Sequence, residues 1–280
     1  MILERYGVAV VLVSPKEEGN VGAAARAMAN MGARRLVLVA PRCDLGRRAR
    51  ERAREGAGIL GQALILPDMT AVASRFQTLV AMTARGGRSR GPIMTPREAA
   101  PLLLGGKGVD DPAGGPALVF GPEEGGLDNN ALQFCHHVVR IPTEPASSLN
   151  LSHAVCVMLY DLRCWLLERV AAGDGVRDEP VSATAPGADP SSPDAPASNA
   201  GVEDLIGELK DVGRRIDHLL EHNEAERLWR YRRLFHRARL TNADLWMLRG
   251  LLRQVRWAAK LEPKQDRSEN KPGSEGDSLL

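Results

Sequence analysis

Leu118-Val119-Phe120-Gly121-Pro122-Glu123-Glu124-Gly125-Gly126-Leu127-Asp128-Asn129-Asn130 passes from an apolar run through a glycine-flanked pair of acids to helix-capping residues. Two other stretches share that grammar. Gly19-Asn20-Val21-Gly22-Ala23-Ala24-Ala25-Arg26 follows the apolar run Val8–Val13, and Ile141-Pro142 with Ser147-Ser148-Leu149-Asn150-Leu151-Ser152 follows Val138–Ile141. Each leads into an amphipathic segment. Three strand-loop-helix junctions rich in Gly, Asn and Ser imply backbone gathered around a ligand at the carboxyl ends of parallel strands.

The rest of the first 170 residues extends this rhythm. Residues 7–13 form a β-branched run suited to a strand buried on both faces. Val21–Met31 is an alanine-rich helix closed by Gly32. Apolar runs at 36–39, 64–66, 78–82, 118–120 and 138–141 alternate with helical segments, which predicts an α/β fold with a mostly parallel sheet flanked by helices. Residues 47–55 show no apolar face and are expected to be a solvated helix of mixed charge, basic enough to touch phosphate. From 171 to 201 the composition turns to Ala, Pro, Ser, Gly and Asp, the signature of a flexible linker. Helical patterning resumes over 202–261, and residues 262–280 form a polar tail. The expected units are therefore an α/β domain at 1–170, the linker, a small α-helical extension over 202–261 and a disordered tail.

Hydrophobic residues make up 44% of the 280, enough for a sizeable core, and no apolar stretch is long enough to span a bilayer. The N-terminus lacks the pattern of a signal peptide, so a cytoplasmic address with no membrane partner is expected. Cys43, Cys135, Cys156 and Cys164 have no C-x-x-C spacing and are expected to be free thiols. Cys135-His136-His137 has no second ligand pair at zinc spacing, and no metal is expected.

In order and spelling the three junctions resemble the signature motifs of the SpoU-type 2′-O-methyltransferases, the knotted SPOUT class of RNA-modifying enzymes. The resemblance implies a C-terminal trefoil knot, S-adenosylmethionine as cofactor and a homodimer with the cofactor site against its two-fold interface. It assigns catalysis to Asn20 and Arg26 of G-N-x-G-x-x-x-R, to Glu123 of F-G-x-E-x-x-G-L, and to Ser148 and Asn150. Arg26 would contact RNA and help activate the ribose hydroxyl. Cofactor contacts would fall on Gly121, Gly126, Ile141, Ser148, Leu149 and Asn150. Thr83 and Ala84, in a T-S-A-R-like loop, would join them, with Arg85 on a basic rim. Pro122 stands where many relatives carry arginine, which removes a cation and a backbone donor.

Between Arg227 and Lys260 there are ten Arg/Lys against one acid, Asp244. The segment also holds Trp229, Trp246 and Trp257, expected to pack between helices. That charge implies a phosphate-binding surface carried by Arg232, Arg233, Arg237 and Arg239. The segment resembles the C-terminal extension of the TrmJ-type tRNA (cytidine/uridine-2′-O-)-methyltransferases. The expected activity is therefore methylation of a tRNA ribose in the anticodon loop, at position 32. Methylation of rRNA or another tRNA position, or a non-catalytic RNA-binding role on the same fold, are the alternatives.

Overall fold

Apolar, β-branched runs that cannot be left in water become the strands of one sheet. The computed structural model describes residues 3–76, 78–84, 93–105, 115–144, 148–172 and 191–259. Its strands are β1 (Ala9–Val13), β2 (Arg35–Val39), β3 (Leu64–Leu66), β4 (Thr78–Met82), β5 (Ile93–Met94), β6 (Pro116–Phe120) and β7 (His137–Val139). They form a seven-stranded sheet in the order β3-β2-β1-β6-β4-β7-β5, and every pairing is parallel. β5 was not anticipated, because a two-residue edge strand leaves no apolar run to see.

The helices are α1 (Glu18–Met31), α2 (Arg47–Ala53), α3 (Ala57–Gly61), α4 (Met69–Ala73), α5 (Pro96–Leu104), α6 (Asn129–Leu132) and α7 (Leu151–Ala171), followed by α8 (Asn199–Arg215), α9 (Glu224–Ala238) and α10 (Asn242–Ala258). They cover both sheet faces. Val10, Leu12, Leu38 and Leu118 point to one core with Met28, Leu103 and Met158. Val11, Val37, Leu79 and Val119 point to the other with Val72, Phe76 and Leu132. Strand alternation thus feeds two cores from one set of apolar runs.

Two expectations about helices change. α2 does have an apolar face: Ala49 and Ala53, one turn apart, are fully buried. A Cβ on Gly22 would lie 2.2 Å from the Ala49 carbonyl oxygen, and one on Gly56 2.4 Å from that of Ala25, so α1 and α2 meet backbone to backbone. Alanine and glycine suffice where helices approach this closely. The end of the expected linker is also not loose. Residues Pro193 to Ala197 hydrogen-bond to the start of α10: Ala197 N donates to the Leu240 carbonyl, and Asn242 N to that of Ala195. The part of the linker between 173 and 190 and the tail lie outside the described residues.

Helices α8–α10 build their own small core from Leu205, Ile206, Leu219, Leu228, Phe235 and Leu245. α9 docks on the sheet at the amino ends of β4 and β7. His236 stacks on His136 with centroids 4.1 Å apart, its Nε2 lies 3.2 Å from Thr78 Oγ1, and Trp229 Nε1 donates to the Cys135 carbonyl at 3.0 Å.

Candidate functional site

The carboxyl ends of β1, β4, β6 and β7 bring the junctions together. α1 begins at Glu18, so Asn20 lies within its first turn and does not cap it. Its side chain turns to the next junction: Asn20 Nδ2 donates to Glu123 Oε1 at 2.9 Å. Asn150 Nδ2 donates to Asn20 Oδ1 at 3.1 Å. Asn150 is the N-cap of α7, and its Oδ1 accepts from the backbone N and Oγ of Ser152 at 2.9 and 2.8 Å. One hydrogen-bonded chain, Glu123–Asn20–Asn150–Ser152, therefore ties loops separated by more than a hundred residues.

Glu123 also accepts from Lys16 N at 3.2 Å. Partial burial pushes its carboxyl up, but hydrogen bonds from Asn20 and the backbone of Glu123, Lys16 and Glu17 outweigh this and hold it below the usual range. Glu123 is thus a carboxylate whose lone pairs are occupied. Its hydrogen bonds join the loop after β6 to the loop after β1 and to α1. Its neighbour Glu124 pairs with Lys16 in the open.

Beside this chain lies a cavity of about 270 Å³. Its lining includes Thr83, Ala84, Gly121, Glu123, Gly126, Ile141, Ser148 and Leu149 from the expected set, and Met82, Phe120, Thr143, Leu151 and Ala154 beyond it. Gly121 allows the tight return of the loop, since a Cβ there would lie 2.2 Å from Leu127 N. Gly125 and Gly126 take φ of +85° and +66°. Thr143 Oγ1 is buried without a hydrogen-bond partner in the wall. Walls that mix apolar side chains (Met82, Phe120, Ile141, Leu149) with polar ones (Thr83, Ser148), a glycine cradle and one orphaned hydroxyl fit an adenosyl group, which is itself part apolar and part polar.

Not every expected residue joins this site. Arg26 is exposed on α1 and does not line the cavity. Arg85 lies outside the described residues. Ser152 and Thr143 were missed. Ser152 was legible as the partner of an Asn cap two residues earlier, whereas nothing local marks Thr143.

The extension corrects the charge argument. Arg232 is only 6% exposed, and its Nε and Nη2 grip both oxygens of half-buried Glu203 at 2.7–3.2 Å. Its guanidinium stacks 4.2 Å from the Phe134 ring centroid. It is a buried ion pair that fastens α9 to α8, and it is not available to phosphate as expected. Arg249 pairs with Asp204 and Glu208, and Arg256 with Asp211. Counting charges from 227 onward missed these acids because α8 precedes the counted segment and folds back across it. Arg233 covers the Trp229 ring, while Arg237 and Arg239 are exposed at the end of α9. Trp246 and Trp257 are 55% and 79% exposed, so only Trp229 packs as expected. The docking contact at Thr78 and the cavity contact at Met82 sit at opposite ends of β4, roughly 13 Å apart at strand rise.

The SpoU rRNA Methylase family matches residues 7–160, the stretch that contains the sheet, the cavity and the hydrogen-bonded chain. The chain belongs to this SpoU methylase family. A second family, the tRNA methyltransferase TrmJ C-terminal domain, matches residues 200–267. The SpoU-family chain is 33% identical over 250 residues to the tRNA (cytidine/uridine-2′-O-)-methyltransferase TrmJ of Escherichia coli O6:K15:H31 (strain 536 / UPEC), covering 89% of this chain and 94% of that one. It is 30% identical over 259 residues to the TrmJ of Yersinia pestis (strain Pestoides F), covering 89% and 91%. Among solved structures, TrmJ from Z. mobilis ZM4 superposes with a TM-score of 0.67 at 26% identity, over 88% of this chain and 98% of that one. A probable methyltransferase from Bordetella pertussis Tohama I gives a TM-score of 0.53 at 34% identity, over 59% and 99%. No helix among the described residues is long and apolar enough to cross a membrane.

Proposed function

We propose that this SpoU-family chain is an S-adenosylmethionine-dependent tRNA ribose 2′-O-methyltransferase that acts on cytidine or uridine at position 32 of the anticodon loop. The observation that carries the reading is the chain Glu123–Asn20–Asn150–Ser152, which locks the three motif loops beside a cavity suited to an adenosyl group. The names of its TrmJ relatives support the substrate class. S-adenosylmethionine supplies a methyl group on a sulfonium, open to in-line attack by the ribose oxygen.

The chain's own residues would then do three things. Backbone at Gly121 and Gly126 would hold the cofactor, with Ile141 and Leu149 toward its adenine and Thr83, Ala84 and Ser148 at the walls of the cavity. Asn150, fixed by Asn20 and Ser152, holds its amide in one orientation at the transfer site, so positioning costs little at the moment of reaction. Arg26 lowers the cost of removing the proton of the 2′-hydroxyl by favouring the oxyanion.

The domain roles follow: residues 1–170 catalyse and 202–261 assist tRNA binding, through Arg233, Arg237 and Arg239. Arg85 would add to the RNA rim. The stretch around 141–150 would thread the trefoil knot. The exposed Val157, Tyr160, Leu167 and Val170 on α7 would meet their copies across a two-fold axis. Mass-spectrometric mapping of ribose methylation in total tRNA, with and without the protein, tests the reading. A 2′-O-methyl group gained at position 32 supports it, methylation elsewhere changes the target, and none at all removes the activity. Arg26→Ala should abolish methylation while cofactor affinity by calorimetry stays near wild type, because only a transition-state contact is lost.

A further inference from the structure

α2 places five arginines, Arg47, Arg48, Arg50, Arg52 and Arg54, in or just after a helix whose buried face is nothing but Ala49 and Ala53. All five are exposed. The pattern works against the helix. Arg48 and Arg52 stand at i and i+4, where like charges repel, and the opposite-charge pair at that spacing, Arg47–Glu51, joins side chains 91% and 63% exposed. In the extension the acids of α8 pair with the arginines of α9 and α10, whereas on α1 the acid that reaches α2 is Glu18, at its N-cap Gly46, where an added Cβ would lie 3.1 Å from Glu18 Oε2.

Position adds to the pattern. The close backbone contacts at Gly22 and Gly56 clamp α2 along α1, from the site end to the turn that carries Arg26. A Cβ on Gly19 would lie 3.5 Å from Arg48 Nε, and Gly19 immediately precedes Asn20, a member of the hydrogen-bonded chain. Arg52 shares the flank of Arg48, one turn on. The backbone of Arg26 lies against Gly56, so the end of the strip lies beside the turn of α1 that carries Arg26.

We infer that this arginine strip is a docking surface for the phosphate backbone of the RNA substrate, which it delivers to the site end of α1. The inference rests on the proposal that the substrate is RNA. Guanidinium groups suit it because they bind phosphate bidentately and keep their charge throughout the usable pH range. The strip belongs to the catalytic domain itself, whereas the extension contacts the opposite end of β4. Much of the extension's charge is already spent on its own acids.

The test uses the full chain with Arg48→Gln/Arg50→Gln/Arg52→Gln and, for comparison, Arg230→Gln/Arg237→Gln/Arg253→Gln on the extension. tRNA affinity is measured between about 50 and 200 mM salt, with methylation kinetics and S-adenosylmethionine calorimetry alongside. Removing three phosphate contacts should flatten the slope of log K against log salt by about 2–3. KM for tRNA should rise at least about tenfold, with cofactor affinity unchanged and a smaller effect from the extension variant. Lys at the same three positions should restore most of the salt slope, which a merely structural role would not explain. An unchanged slope and KM in the α2 variant overturns the inference. If the α2 variant loses tRNA binding but the wild type methylates no tRNA, the docking surface stands and the proposed activity falls. If the wild type shows no salt-dependent tRNA binding, both fall.

Discussion

Replacing Arg232 by methionine should unfasten the extension. Its partner Glu203 is 10% exposed and takes three hydrogen bonds from the guanidinium, at 2.7, 2.8 and 3.2 Å. Without them a buried carboxylate is left unpaired, a loss of about 3–5 kcal/mol. A core of this size rarely supplies more than about 3–5 kcal/mol in total, and the extension buries six large apolar residues. The single variant should therefore populate the unfolded extension in plain buffer. The double variant Arg232→Met/Glu203→Leu should recover most of the loss. It removes both charges together, and with them Arg232 Nη1, which is buried without a partner. Urea unfolding followed by tryptophan fluorescence reads this directly, since three of the four tryptophans lie in the extension. A single variant destabilised by less than about 1 kcal/mol, the value of an exposed pair, would refute the buried-pair reading. So would a double variant as unstable as the single.

Two further outcomes test the site and the docking contact. Gly121→Ala should abolish S-adenosylmethionine binding while the sheet stays folded, because the added carbon would meet backbone at 2.2 Å and that backbone cannot yield as a flexible side chain would; calorimetry showing normal affinity would contradict the cavity assignment. Burial and the charges of His137 and Arg239 lower the pKa of His236 from 6.5 to about 4. His136 is also held neutral, by burial first, and its Nδ1 accepts from Leu79 N at 2.9 Å. Between those two pH values the unfolded chain binds more protons than the folded one, so stability is retained above about pH 6.5 and lost as pH falls toward 4. The extension's fluorescence transition should move to lower temperature between pH 7 and pH 5, and His236→Gln should weaken that dependence while the shares of His136 and His137 remain. A transition unchanged with pH would mean that the imidazole stack does not hold the extension.

Periodicity and junction chemistry determined much of this protein. The runs at 7–13, 36–39, 78–82 and 118–120 read as buried strands, because they are apolar or β-branched without alternation and too short for helices. Loops of Gly, Asn and Ser after the runs at 8–13, 118–120 and 138–141 located the candidate site. Local patterns carry no information on what lies across space. That Asn20 turns to Glu123 and Asn150, rather than capping α1, depends on β1, β6 and β7 ending at one edge of the sheet. That Arg232 serves Glu203 rather than phosphate depends on α8 folding back over α9. That α2 and the turn after it lie along α1 depends on the close backbone approaches at Gly22 and Gly56. Charge and hydrogen-bonding capacity are properties of the sequence, but which partner spends them is set by distances that exist only in the folded chain.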